Sequence, residues 1–350
     1  MLPTDRPLVL ATHSGTFHAD DVLAYSILSV ALGLTDPASH KLIRTRDKEA
    51  LATADIVWDV GGTADAATWR FDHHQQGAPK AENGDPLSSA GLVWRHLHPE
   101  TGETIGAMFI RNTLKRLGHG ETVFSASAIG IMASAIGKKI VRHVDLCDNG
   151  VERGLPTDLT SAIDGFNAAW DSPTQTSPEL FEASQYSQFL EAKAFTLGFL
   201  DRQVERERAS VAAYEMVAQA WEDCKAGKTG LHPDVLELPR GMPWLRPAFE
   251  LDMPILYAMS PEANGHWKLQ CMPVEKGSFE NRLDLPLEWA GLADEELQKA
   301  SGIPDAIFVH RNRFMAVAKS RDGALAIARA ALARKLTPAQ MLKQALERRR

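Results

Sequence analysis

Residues 71–74 read Phe-Asp-His-His, an acid and two imidazoles that do little chemistry unless the fold brings them partners. Three other clusters could be those partners. His13-Ser-Gly-Thr-Phe-His18-Ala-Asp20-Asp21 directly follows the apolar run Pro7–Thr12. Asp59-Val-Gly-Gly62 follows Asp55-Ile-Val-Trp58, and Asp145-Leu-Cys-Asp148-Asn-Gly150 follows a long helical pattern. Imidazole and carboxylate together suit Mn²⁺, Fe²⁺, Co²⁺ or Zn²⁺ better than Mg²⁺, which prefers oxygen and keeps its waters. Four such clusters within the first 150 residues point to a two-metal hydrolase.

The pattern around them predicts how they meet. Leu8–Thr12, Lys41–Thr45 and Asp55–Val60 read as strands, and 20–33 as a helix with acids in its first turn and Gly33 ending it. This β-α-β-β order predicts an α/β fold with a mostly parallel sheet, whose ligands sit outside the carboxyl ends of the strands. His13 and Asp59 fall at such ends, where Asp59 could bridge two cations while His73 supplies nitrogen. Gln75–Pro86 reads as a loop, Ser88 or Ser89 as the N-cap of a helix, and 104–117 and 121–147 as further helices. A long amphipathic helix is expected at 179–224, its apolar stripe a core or dimer face. Strand-like runs follow at 247–259, 266–274, 305–310 and 313–319, with helices near 293–301, 322–334 and 337–348, an α+β pattern. At 350 residues two domains are expected. The boundaries predicted are a metal-binding catalytic domain over 1–165, a helical connecting region over 166–240 and an α+β substrate-binding domain over 241–350.

The three cysteines, Cys147, Cys224 and Cys271, are widely spaced and form no Cys-x-x-Cys pair, so reduced thiols and a cytoplasmic location are expected. No apolar stretch reaches membrane-spanning length, so no membrane partner is expected. A net charge of −7 argues against a long duplex footprint but not against a short nucleic acid in a local basic pocket.

His13-x-Gly15-x-Phe17-His18-x-Asp20, Arg44-Thr-Arg-Asp47, Asp55-Ile-Val-Trp-Asp-Val-Gly-Gly62, Phe71-Asp-His-His74, Leu87-Ser-Ser-Ala-Gly91 and Asp145-x-x-Asp148-Asn-Gly150 closely resemble the MYG-type exonuclease family, part of the DHH phosphoesterase superfamily. The resemblance continues through Arg282-x-x-Leu-Pro286, Trp289-x-Gly291-Leu and Phe308-Val-His310, so it spans nearly the whole chain. It implies a DHH-type catalytic domain holding two Mn²⁺ ions. His13, His18 and Asp59 would hold one, and Asp20, Asp59, His73 and an acid from 145–148 the other, with His74 facing the substrate phosphate. Asp145 is favoured over Asp148 for the last ligand, because Asp148-Asn-Gly reads as a helix end. Two departures stand out. Most superfamily members carry Asp where this chain has His18, and the glycine-rich substrate motif of the second domain is replaced by Val309-His-Arg-Asn-Arg-Phe314.

The expected activity is a Mn²⁺-dependent phosphoesterase degrading RNA or a short oligonucleotide 3′ to 5′, with a homodimer as a possible assembly. Asp59 and His74 are its catalytic residues, and His74, Arg282 and His310 its substrate contacts. One alternative is a small-molecule phosphohydrolase acting on pyrophosphate or on short or cyclic dinucleotides. The other, from a different class, is a non-catalytic metal-binding regulator. Arg44, Arg46, Lys138, Lys139 and Arg142 are further phosphate candidates, each by itself read first as a surface cation.

Overall fold

The computed structural model describes residues 2–34, 36–120 and 124–334, so the helix expected at 337–348 lies outside the described residues. The chain forms two compact units, 1–208 and 209–350.

In the first unit, β1 (Leu8–Thr12) leads into α1 (Ala19–Ala31), β2 (His40–Arg44), α2 (Lys48–Thr53) and β3 (Ile56–Trp58). Two very short strands, β4 (Ala64–Asp65) and β5 (Arg70–Phe71), complete a sheet of order β2-β1-β3-β5-β4. All pairings are parallel except β4 with β5. The register sets Leu10 against both Leu42 and Ile56, and Trp58 against Phe71. Neighbouring parallel strands therefore end side by side, and the residues that follow β1, β3 and β5 are His13, Asp59 and Asp72-His73-His74. Topology alone brings together three clusters that are distant in sequence.

Helix α1 is buried along its whole length. Its Tyr25 stacks on Trp58, and the Trp58 indole donates to the Asp21 carbonyl at 3.0 Å. Helices α3 (Ser89–Arg95), α4 (Ile105–Arg116), α5 (Ala126–Ile136), α6 (Arg142–Asp148) and α7 (Leu159–Asp164) follow. The continuous helix expected over 121–147 is interrupted by a π turn, Gly137–Val141, between α5 and α6. Gly137 there lies against Trp94, where a side chain would collide with the indole. A π turn adds a residue to one coil and so turns the face that α6 presents. Helix α8 (Pro178–Lys225) matches the long helix expected and continues into the second unit. Within the first unit its buried positions are Gln185, Phe189, Ala192, Thr196, Leu200, Val204 and Glu207, a helical stripe that serves as core.

The second unit contains β6 (Val235–Glu237), α9 (Leu245–Glu250), β7 (Tyr257–Pro261), β8 (Trp267–Cys271), α10 (Asp294–Ser301), β9 (Ala306–Val309), β10 (Met315–Ala318) and α11 (Arg321–Ala333). The sheet order is β6-β7-β8-β10-β9, parallel only between β6 and β7. Alternate residues serve opposite faces: Val235, Tyr257 and Met259 join one core with Trp289 and α11, and Leu236 and Ala258 join another with Val217 and Cys224 of α8. The strand expected from 247 is corrected. Residues Leu245–Glu250 are helical, with Pro247 in the first turn where its missing N–H costs nothing, and the strand begins only at Tyr257. Among the described residues the fold is mixed α/β with two sheets. No described helix is long and apolar enough to cross a membrane.

Two helical glycines carry opposite expectations. A methyl on Gly91 would enter the space of the Asp145 carboxylate, whereas one on exposed Gly130 meets nothing within 4 Å. Gly91→Ala should lose about 1–3 kcal/mol by overpacking. Gly130→Ala should gain roughly 0.5–1 kcal/mol from helix propensity. Urea unfolding of the two variants checks the pair; stabilisation by Gly91→Ala would show that α3 and α6 are not closely packed there.

Candidate metal centre

Asp59 sits immediately after β3 with φ of 58°, in the left-handed region, and Gly61 and Gly62 continue the turn with positive φ. Aspartate tolerates that conformation better than most residues. The buried carboxylate splits its two oxygens: Oδ1 lies 3.1 Å from His73 Nε2, and Oδ2 lies 3.2 Å from His13 Nε2. Asp148 Oδ2 stands 3.2 Å from the same His73 nitrogen, and Asp20 Oδ2 stands 3.8 Å from it. Ligand atoms fall into three overlapping groups within 4.8 Å: His13, His18 and Asp59; Asp59, His73 and His74; and His18, Asp20 and Asp148. The sequence clusters therefore converge, with Asp59 shared by two groups and His18 by two.

Each ligand is held from behind. His13 Nδ1 lies 3.0 Å from the Ser14 carbonyl and 3.3 Å from Arg46 Nη2, and Nε2 faces the cluster. Asp20 Oδ2 accepts from the Ser89 amide at 3.2 Å and its hydroxyl at 2.7 Å, leaving Oδ1 buried without a partner. Asp72 accepts from the Gly62 amide at 2.5 Å and stands 2.7 Å from His74 Nδ1, which orients the exposed His74 ring. The turn 13–18 is fixed by Asn167, which accepts from the Phe17 amide at 3.1 Å and donates to the Phe17 carbonyl at 2.9 Å.

The charges do not balance with protein alone. Asp20, Asp21, Asp59, Asp72 and Asp148 crowd around His13 and His73. Burial works against charge on His13, but Asp21 and Asp59 outweigh it and push its pKa up to about 10. Burial opposes charge on His73 too, and Asp59 and Asp148 raise it. Burial pushes the Asp20 and Asp148 carboxyls up, Asp20 further through its acidic neighbours. Burial also acts on Asp59, but the two histidines hold it well below the usual carboxylate range. His13 Nε2, Asp20 Oδ1 and Asp21 Oδ2 are buried without a well-formed hydrogen bond, although His13 Nε2 and Asp21 Oδ2 are 3.0 Å apart. Unpaired buried polar atoms cost about 1–3 kcal/mol each. Excess buried carboxylate, imidazole nitrogens and orphaned atoms aimed at one another fit divalent cations.

Asp148 rather than Asp145 stands in the cluster, against the preference read from the sequence. Asp145 Oδ1 accepts from the Ser88 amide at 3.1 Å and hydroxyl at 2.7 Å, while Oδ2 faces Arg95 at 3.4 Å. Adjacent Ser88 and Ser89 thus anchor acids from two helices, a role hidden by their expected part as an N-cap. Asp21, beside His13, has no role in the sequence reading. Its carboxylate accepts from the His18 amide at 3.0 Å, and the His18-x-x-Asp21 capping spacing is the signal that could have found it.

Among the cations, Arg44 is held over Phe17 and Phe189 and donates to the Gly15 carbonyl at 2.7 Å, so it supports the metal turn. Exposed Arg46 lines the cleft of about 360 Å³ with His13, His18, Asp59, Asp72 and His74. Lys139 pairs with Glu207, and Arg142 with Asp85. In the second unit, Arg282 donates to the Met253 and Ile255 carbonyls at 2.6 and 3.0 Å, and the His310 ring packs against Phe308 and Phe314.

Residues 9–332 match the family model MYG1_exonuc, described as an uncharacterised protein family (UPF0160). The MYG1 exonuclease of Homo sapiens is 32% identical over 356 residues, 94% of this chain and 87% of that protein. The MYG1 protein YER156C of Saccharomyces cerevisiae is 30% identical over 93% of this chain and 95% of its own length. Among solved structures, RecJ in complex with Mn²⁺ from Thermus thermophilus matches with 14% identity and a TM-score of 0.23, over 93% of this chain and 51% of that one. A likeness at that level carries no argument.

Replacing the two acids of α6 separates their roles. Asp148→Asn should lower bound metal measured by elemental analysis after dialysis. Asp145→Asn should keep the metal and lower Tm, because the Ser88 and Arg95 contacts weaken, by about 1–3 kcal/mol. Equal metal loss in both would remove the distinction.

Proposed function

The chain belongs to the MYG1 exonuclease family, and from that premise we propose that it is a DHH-type, Mn²⁺-dependent phosphoesterase that removes nucleotides from RNA 3′ to 5′. The observation that carries the metal-dependent hydrolase reading is the split Asp59 carboxylate, one oxygen toward His13 and the other toward His73. His13, His18 and Asp59 are the candidate ligands of one cation, and Asp20, Asp59, His73 and Asp148 those of the other. Three imidazoles in that set support Mn²⁺ or another transition ion over Mg²⁺. The relatives named exonucleases support the nucleic-acid substrate; the motif resemblance supports RNA and the polarity.

Bound divalent cations supply Lewis acidity, lowering the pKa of water and stabilising charge on phosphoryl oxygens. The chain's own residues do the rest. Asp59 positions the two halves of the cluster by spanning them. His74, whose ring is exposed and held through Nδ1 by Asp72, lines the cleft and can hydrogen-bond a phosphate oxygen. Arg46 at the rim adds a cation that can pair with the next phosphate. Arg282 and His310 are the substrate contacts proposed in the second unit. A second reading, a phosphohydrolase of pyrophosphate or dinucleotides, is favoured by the small cleft and the net charge of −7.

Purified protein offered end-labelled RNA, DNA, a dinucleotide and pyrophosphate in parallel decides between them. Activity should vanish on chelation and return more fully with Mn²⁺ than with equal Mg²⁺. Asp59→Asn should be the most damaging single change, with both ions loosened and the fold intact, since asparagine also accepts positive φ. Full Mg²⁺ activity, or an active Asp59→Asn enzyme with normal metal content, would sink the ligand assignment. His310→Ala and Arg282→Ala should weaken RNA turnover about ten- to a hundred-fold and spare bis-p-nitrophenyl phosphate. Equal losses on both substrates with a lowered Tm would make these residues structural.

A further inference from the structure

Helix α6 carries a second set of potential ligands that the proposed chemistry does not use. His143 and Cys147 are four apart and so share one face of the helix. Asp158, the N-cap of α7, reaches that face. His143 Nε2 is 2.9 Å from Asp158 Oδ2 and 3.6 Å from Cys147 Sγ, and one ligand atom from each of the three residues lies within 4.8 Å of the others. On its far side the ring faces Glu152 Oε2, 3.3 Å from Nδ1. Glu152 and Asp158 thus flank the imidazole, one carboxylate against each ring nitrogen. An imidazole oriented by an outer carboxylate is the usual form of a metal-ligating histidine.

The same contacts argue against a cysteine nucleophile. A nucleophilic thiol is hydrogen-bonded in line with one nitrogen of its base. Here Cys147 Sγ lies 3.6 Å from Nε2 and 3.9 Å from Nδ1, over the ring and in line with neither. The three donors instead lie together, within 4.8 Å of one another. A zinc tetrahedron with ordinary bond lengths has edges of about 3.6 Å between sulfur and nitrogen and about 3.4 Å between nitrogen and oxygen. Around an ion the nitrogen–oxygen pair, 2.9 Å apart without one, would open and the Cys147 sulfur would swing toward Nε2, while Asp158 is already fixed by the Leu155 and Ser161 amides at 2.6 and 2.9 Å.

We propose that His143, Cys147 and Asp158 form a separate site for one zinc-class cation, oriented by Glu152 and completed by water. Thiolate with imidazole selects a softer ion than the oxygen-rich catalytic cluster. The site would fasten the end of α6 to the start of α7, immediately beside Asp148.

Two readouts report on this site without any substrate, so they stand or fall independently of the nuclease reading. Cys224 and Cys271 are buried, at 7% and 5% exposure, which leaves Cys147 as the accessible thiol of the native chain. Its alkylation by iodoacetamide, followed by mass spectrometry, should slow about tenfold when zinc stands at roughly ten times its Kd, and should not slow with Mn²⁺. Co²⁺ should produce a near-ultraviolet thiolate charge-transfer band, since no catalytic ligand is a thiol. The band should survive Asp59→Asn and disappear in Cys147→Ser and in His143→Asn. Unchanged alkylation in zinc, or cobalt binding without a thiolate band, would overturn the proposal. So would zinc protection of Cys147 that persists in the His143→Asn, Asp158→Asn double variant.

Discussion

The first unit is organised around keeping five aspartates, Asp20, Asp21, Asp59, Asp72 and Asp145, out of water. Their mutual repulsion is met in three ways that the fold makes possible at once. Parallel strands aim three loop starts at one point, two buried imidazoles carry positive charge among the acids, and the serines that open α3 donate to Asp20 and Asp145 from behind. Removing any of these leaves buried carboxylate uncompensated, which costs far more than the loss of an exposed ion pair. The left-handed backbone at Asp59 belongs to the same arrangement, since it carries a carboxylate that faces both histidines.

Much of the catalytic half was legible because its signals are local. β1 lies where the unbroken apolar run from Leu8 to Thr12 placed it, and α1 begins where Asp20 and Asp21 marked a helix start. β4 and β5 have two residues each, too short for any periodicity, so the sheet's full order could not be read. The π turn was hidden for another reason. Gly137 carries no local breaking signal; what interrupts the helix is the fit against Trp94, a residue 43 positions earlier. In the second unit, Pro247 sits in a strand-like apolar run, yet it opens a short helix.

At the site, residue types were legible and partnerships were not. Asp-His-His and the acids after each strand pointed to a candidate metal centre, because those groups have few other reasons to cluster. Between Asp145 and Asp148 the spacing offered no choice, since residues three apart on a helix share a face. The decision lies with Ser88, a helix start 57 positions away that occupies Asp145. Arg44, by itself read first as a surface cation, is instead covered by two phenylalanines from separate segments.

Ser89 has an effect on ligation as well as on placement. By occupying Asp20 Oδ2 it leaves a single oxygen of that carboxylate to face a cation. A one-oxygen ligand would hold an ion less firmly than a chelating pair, so an ion on the Asp20 side would rest the more on His73, Asp148 and the shared Asp59.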